Sequence, residues 1–310
     1  MLNMNQLRVF CEAARSGNFT AAAKRLCITQ PAVTTQVRSF EAICGLKLFR
    51  KRGRKVYLTD EGKALYEHAR RIFDCERDVE QSIEDMRELK RGILRIGTTK
   101  TYARYFMPSF ITGFRKAYPG IKICLDEGSS TNMVQSLLEM RNELAVIARC
   151  GESPGVLFLP FSRESLVFIM APTHLLARKR QVQPEDLSNE PIIMKEVGSG
   201  TREVVNGLFE RRHIGLNVLV ETSNTEFIKQ LVQRGDGVSF LVQEAVASEI
   251  KEGKLETRPI QGERLQLEVS IAQVRDHDLS PPAKAFLDIL LRIRQDMGGA
   301  EASAVMTGNQ

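Results

Sequence analysis

Between Gly62 and Gly92 the chain runs for 29 residues without a glycine or a proline. Within that run Leu65, Ile72, Val79 and Met86 recur every seven residues. Ala69 and Ile83 complete the apolar stripe, Glu76 interrupts its second row, and the remaining positions are mostly charged. A narrow seam of period seven, kept up this long, suits a helix paired with another helix better than one packed into its own core. Thr59-Asp60-Glu61-Gly62 gives that helix a capped start with acids in its first turn. A helix over 59–91 divides the chain into a small head, 1–58, and a larger body, from 92 onward.

The charge is divided in the same place. Residues 1–60 hold eleven Lys or Arg against three acids, a surplus of eight, whereas the whole chain carries only +6. A basic head on a slightly acidic body is the footprint of a nucleic-acid-binding module joined to something else. Solubility alone would also accommodate a basic surface, so the pattern within the head has to decide.

Leu7, Phe10, Cys11 and Ala14 lie on one face of a helix from Met4 to Arg15, which Ser16-Gly17-Asn18 stops. Thr20 is the expected cap of a second short helix containing Ala21, Ala22, Ala23 and Leu26, small enough for a neighbouring helix to come close. Thr29 caps a third, from Gln30 to about Ala42, with Pro31 in its first turn where a missing N–H costs nothing. Val33, Val37 and Phe40 form its buried side. Thr29, Gln30, Pro31, Ala32, Thr34, Thr35 and Arg38 are left facing outward, the polar set a recognition helix offers to base edges in a major groove. After Gly45, two short strands, Leu46–Phe49 and Val56–Leu58, would be joined by the basic tip 50–55. Charges this dense repel one another unless a polyanion neutralises them, so Arg50, Arg52 and Arg54 are read as wing contacts to phosphates or a minor groove.

The run FTAAAKRLCITQPAVTTQVRSFE, followed by LKLFRKRGRKVYLTDEG, resembles the N-terminal signature of the LysR-type transcriptional regulators, with an ordered match across residues 4–65. Thr stands at 29 and 34 where many members have Ser, which preserves the hydroxyl. The resemblance implies a dimeric winged helix-turn-helix on a dyad-symmetric double-stranded operator, with Leu65, Ile72, Val79 and Met86 pairing the linker helices. It also implies a homodimer or homotetramer and contact with RNA polymerase, while the six scattered cysteines, with no CxxC, suit a reducing cytoplasm.

From Gly92 short apolar strands alternate with helical stretches: strands near 93–97, 121–127, 144–148, 192–194, 218–221 and 238–242, helices near 103–116, 132–140, 201–212 and 225–234. That alternation predicts parallel sheets covered by helices. The fold class is α/β overall, with a mainly α head and a bilobal body, periplasmic-binding-protein-like as the resemblance implies. Lobe I would take about 92–162 and 267–297, lobe II about 163–266, and 298–310 would be a disordered tail.

Ligands of parallel sheets sit beyond the carboxyl ends of strands, often at helix N-termini. Thr98-Thr99-Lys100-Thr101 follows the first strand, and Ser199-Gly200-Thr201-Arg202 opens a helix in the second lobe. Arg149 follows the 144–148 strand and would point into the same cleft. Hydroxyls, free N–H groups and three cations predict a small anionic effector bearing a carboxylate or sulfate. TTKTYARYFMP resembles the effector loop of the cysteine-biosynthesis branch, with Lys100 for its usual His and Tyr102 for its usual Gln. GSGTR resembles the Calvin-cycle and aromatic-degradation branches, so effector identity stays open.

Other function classes find little support. No nucleophile elbow, P-loop, HExxH or paired-carboxylate motif is present, which weighs against an enzyme on a bilobal scaffold. The four histidines and six cysteines have no metal-ligand spacing, so neither metal nor cofactor is expected. A cysteine redox sensor is the alternative within the family, with Cys124 and Cys150 on different strands. No apolar run is long enough to span a membrane and the N-terminus lacks signal-peptide character, so no membrane contact is expected.

Overall fold

A computed structural model describes residues 2–52, 55–151 and 153–307, the side chains of 51–52 and 296–307 excepted. The chain forms two compact units, Met1–Asp85 and Met86–Gln310.

In the first unit, α1 (Met4–Ser16) is capped by Asn3 and ends at Gly17 in the left-handed region. Helix α2 (Phe19–Arg25) is capped by Asn18, whose side chain accepts from the N–H groups of Thr20 and Ala21. Thr20, expected as that cap, already lies inside the helix. Helix α3 (Gln30–Cys44) starts at Thr29, whose hydroxyl accepts from Ala32 N at 3.3 Å, and stops at Gly45. Phe10 joins the layers, its ring 5.6 Å from Phe40 and 5.4 Å from Phe49.

The hairpin differs from expectation. Strand β1 is Phe49–Arg52 and β2 is Lys55–Leu58, with Arg50 opposite Tyr57 and Arg52 opposite Lys55. The basic residues therefore lie on the strands, and 46–48 are not strand. The reason is Glu41: its buried carboxylate accepts the N–H of Leu48 at 2.8 Å and of Phe49 at 3.2 Å, fastening this segment to α3. Arg54 lies outside the described residues.

Helix α4 (Asp60–Arg87) is capped by Thr59, whose hydroxyl accepts from Gly62 N and donates to Lys47 O. A Cβ at Gly62 would meet Leu48 O at 2.2 Å, so only glycine lets this turn close on the 46–48 segment. The apolar row divides along the helix. Leu65 packs with Tyr66, Ala69 and Phe73 against Phe10, Phe40 and Leu48 of the head core. Ile72, Val79, Ile83 and Met86 are 39–54% exposed.

The second unit begins with β3 (Gly92–Thr99), α5 (Lys100–Tyr105), α6 (Met107–Ala117), β4 (Ile121–Gly128), α7 (Ser130–Leu138) and β5 (Leu144–Ala148). The single helix expected over 103–116 is two, because Pro108 has no N–H to continue α5 and instead opens α6. Next comes β6 (Val156–Met170), a strand the sequence reading missed. Then follow β7 (Ile192–Lys195), α8 (Gly200–Arg211), β8 (Val218–Thr222), α9 (Thr225–Arg234), β9 (Ser239–Val242), α10 (Ala247–Lys251), β10 (Glu256–Thr257), β11 (Gln266–Val274) and α11 (Pro281–Thr307). The last helix continues through 298–307, where a disordered tail was expected.

Parallel pairing holds for β3 with β4 and β5, and for β7 with β8. The remaining ladders of this unit are antiparallel, where parallel sheets were expected. The first half of β6 pairs with β11, which also pairs with β5; its second half pairs with β9 and β10. One strand thus belongs to both lobes, and the chain returns through Leu265, whose carbonyl accepts from Leu166 N. A direct crossing between lobes needs no helical connection, and antiparallel pairing permits that. The register of β6 against β11 shifts between Val269 and Ser270, opposite Pro160, a usual place for a residue without a ladder donor.

Candidate DNA-binding face and effector cleft

On the first unit, Thr29, Gln30, Pro31, Thr35 and Arg38 are exposed and Ala32 and Thr34 half-buried, along the α3 side opposite buried Val33, Val37 and Phe40. The Gln30 side-chain amide donates to Thr34 Oγ1 at 2.8 Å, and that hydroxyl donates to Gln30 O at 3.2 Å. The amide is thereby held in one orientation before any base is met, which lowers the ordering cost of a contact. Arg50 and Tyr57 are exposed on the hairpin that Glu41 ties to the same helix.

On the second unit, a narrow cavity of about 20 Å3, room for about one water as the lobes stand, lies between the two lobes. Lobe I contributes Thr99, Lys100, Thr101, Tyr102, Gly128, Ser129 and Ser130; lobe II contributes Lys195, Glu196, Ser199, Gly200 and Thr201. Six of the nine expected effector residues are therefore brought together. Gly200 makes this approach possible, since a Cβ there would stand 2.3 Å from Ala148 Cβ.

Three expected residues are placed elsewhere. Thr98 is buried in β3 and donates to Val146 O at 2.8 Å, because strand alternation turns it into the sheet. Arg202 is turned away, donating to Lys195 O at 3.2 Å and pairing with Glu221 at 2.7 Å. Arg149 lies over the Phe158 ring, 5.6 Å from its centroid, in a separate groove with Arg163 and Arg294.

The sequence reading missed Lys195, the most buried charged residue lining the cleft. It ends β7 and is only 6% exposed, yet pairs with no carboxylate among the described residues. Its ammonium donates to Ser223 O at 2.8 Å and Thr225 Oγ1 at 3.1 Å. Burial pushes its pKa down to about 8, with Lys100 adding to the effect and Glu196 opposing it. Gly128-Ser129-Ser130 was also missed, although it follows a strand and opens a helix as Thr98–Thr101 does. Ser129 caps α7, and Ser130 is fully buried beside Cys150, its Oγ lacking a hydrogen bond of ordinary geometry. Burial raises the Cys150 thiol, and Cys11 likewise, which disfavours the reactive thiolate a redox sensor needs. No group of three or more potential metal ligands occurs among the described residues.

Residues 4–63 match the model of the bacterial regulatory helix-turn-helix protein, lysR family, and residues 87–294 match the LysR substrate binding domain. The chain belongs to the LysR family of transcriptional regulators. It is a DNA-binding regulator with an effector-binding domain, not an enzyme. The HTH-type transcriptional activator CmpR of Synechocystis sp. is 35% identical over 287 residues, 93% of this chain and 94% of that protein. Full-length CbnR complexed with its target DNA has the same fold, with a TM-score of 0.68 at 21% identity over 94% of this chain and 99% of that one. The Synechocystis PCC6803 CcmR regulatory domain in complex with 2-PG superimposes with a TM-score of 0.62 at 29% identity, covering 67% of this chain and 99% of that domain.

Proposed function

We propose that this LysR-family regulator binds a dyad-symmetric operator as a dimer and is controlled by a small anion held between the lobes of its effector domain. The observation that carries the anion is Lys195: a buried ammonium held only by neutral oxygens, facing a cavity that Lys100 also lines. A buried cation is costly without a counter-charge, and an anion in the cleft supplies one. Thr99, Thr101, Ser129, Ser199 and Thr201 add hydroxyl and N–H groups suited to carboxylate, sulfate or phosphate oxygens. The 2-PG-bound CcmR domain supports an effector of this class.

Gln30, Thr34, Thr35 and Arg38 read bases, while Arg50 and the hairpin hold the backbone. The exposed row Ile72, Val79, Ile83 and Met86 pairs two copies of α4, and two dimers make a tetramer. Leu65 is left out of that seam because it serves the head core. DNA as the partner puts the protein in the cytoplasm, with RNA polymerase as its downstream contact. The effector acts through its preference for one lobe angle, since a ligand indifferent to that angle shifts nothing.

Thermal-shift screening of the full chain against small anions and neutral analogues tests this reading. Anions should raise the melting temperature, and Thr101→Val and Lys195→Met should each blunt the shift. Stabilisation by neutral or cationic compounds alone would remove the site.

A further inference from the structure

The two cleft lysines converge on one turn. Lys100, at the start of α5 in lobe I, donates to Ser223 Oγ at 2.6 Å. Lys195, in lobe II, donates to Ser223 O and Thr225 Oγ1. Neither ammonium has a carboxylate partner among the described residues, so two positive charges in one cleft are held by neutral oxygens alone. The two differ in how firmly they are held. Lys195 is buried and anchored by two bonds, and its third N–H is free to serve the cavity it lines. Lys100 is exposed and makes one bond, and that bond joins the lobes.

The clasp extends along α5 and α9. Thr101 Oγ1 lies 3.3 Å from Thr225 Oγ1, Tyr105 donates to Glu226 at 2.9 Å, and Arg104 pairs with Glu226 at 3.3 Å. Glu226 is further engaged by Lys229 at 2.8 Å, which leaves no charge on α9 to neutralise the cleft lysines.

We infer that Ser223 is an internal competitor for the effector, and that the effector is a two-headed anion: one head meets Lys195, and the second draws Lys100 off Ser223. This rests on the anion reading above and adds to it the charge class of the ligand and the contact it breaks. Lys100 holds the Ser223 hydroxyl as an ion against a dipole, whereas an anionic oxygen adds the attraction of opposite charges, so it outcompetes that hydroxyl for Lys100. Binding then exchanges a direct lobe–lobe bond for a bridge through the ligand, and the lobe angle follows the ligand's length. A single-headed anion satisfies Lys195 and leaves the clasp fastened.

Protonation gives a second readout. The charged groups around Lys195 are Glu196, the next residue after its strand, Lys100 from α5, and Arg202 of α8 on its carbonyl, itself paired with Glu221 of β8. From α9 it meets Thr225, whose neighbour Glu226 is already engaged. Free Lys195 is about half protonated near pH 8. An anion beside it favours the charged form, so binding takes up part of a proton at pH 8 and weakens as pH rises further.

The test is calorimetry on the full chain with acetate as the single-headed probe and succinate and 2-PG as two-headed probes. Ser223→Ala should tighten the two-headed anions by roughly threefold to tenfold, the range of one ordinary hydrogen bond, and leave acetate unchanged. Lys100→Met should weaken the two-headed anions towards acetate and cancel the gain from Ser223→Ala. Two buffers of different ionisation enthalpy at pH 8 should report proton uptake in the wild type and none in Lys195→Met. Weaker or unchanged two-headed binding in Ser223→Ala overturns the competitor role, as does an equal gain for acetate. If no anion binds the wild type, the effector reading fails as well; binding with no response to Ser223→Ala overturns this inference alone.

Discussion

Replacing Glu41 by alanine should damage the DNA-binding head more than its surface charges suggest. Its carboxylate is 8% exposed and accepts two backbone N–H groups, Leu48 at 2.8 Å and Phe49 at 3.2 Å. Hydrogen bonds to a charged group contribute about 1.5–3 kcal/mol each, and their loss leaves both donors without a protein partner. The third partner, Lys47, is 82% exposed at its side chain and adds little. The expected cost is therefore about 3–5 kcal/mol, a large part of the roughly 5–15 kcal/mol available to a domain. At about 4–8 °C per kcal/mol for a unit of this size, the melting transition of the head should fall by more than about 10 °C. Scanning calorimetry of the full chain reads this, and amide exchange at Leu48 and Phe49 localises it. Operator affinity should fall too, because the hairpin loses its fixed position beside α3. Glu41→Gln, which keeps one acceptor oxygen, should lie between. A loss below about 1 kcal/mol for Glu41→Ala, or equal losses for Ala and Gln, would refute the reasoning.

Gln30→Ala should reduce discrimination between operator and random DNA while sparing salt-dependent non-specific binding, as competition footprints would record. Arg50→Ala should weaken both and lower the slope of log affinity against log salt by about one, and an unchanged slope would remove its phosphate contact. Ile72→Asp with Val79→Asp places charge in the proposed α4 seam and should dissociate the heads; a sedimentation profile identical to wild type would count against that seam. Gly62→Ala drives a Cβ towards Leu48 O, 2.2 Å away, and should cost more than the few tenths of a kcal/mol of an unstrained exchange, measured by thermal unfolding.

Local chemistry made the head legible. Thr29 before Pro31 and Gly45 after the apolar face mark the ends of α3 because capping and left-handed backbone are decided within a few residues. Asn18 and Thr20 are both good caps, and only the packing of Ala22 and Ala23 selects the first. In the body, β6 escaped the reading because Pro160, Arg163 and Glu164 break its alternation where it passes between lobes. The cleft was half legible. Ser199–Thr201 and Thr99–Thr101 follow strands and open helices, a rule readable from order alone. Lys195 needed the tertiary structure, since nothing in IIMK tells a buried lysine from a solvated one. Arg149 sits at a strand end as the rule asks, yet the aromatic face of Phe158 draws it to the other side. The row Leu65, Ile72, Val79, Met86 is uniform in sequence and divided in structure, because the head core reaches only as far as Phe73.

Operator binding titrated with the anion that best stabilises the full chain tests the central claim most directly, comparing wild type with Lys195→Met. The account predicts that the anion changes operator affinity or footprint in the wild type, and that Lys195→Met needs at least about tenfold more anion for half the effect, the loss of one buried charge-assisted bond. An identical anion response in the two proteins would contradict it.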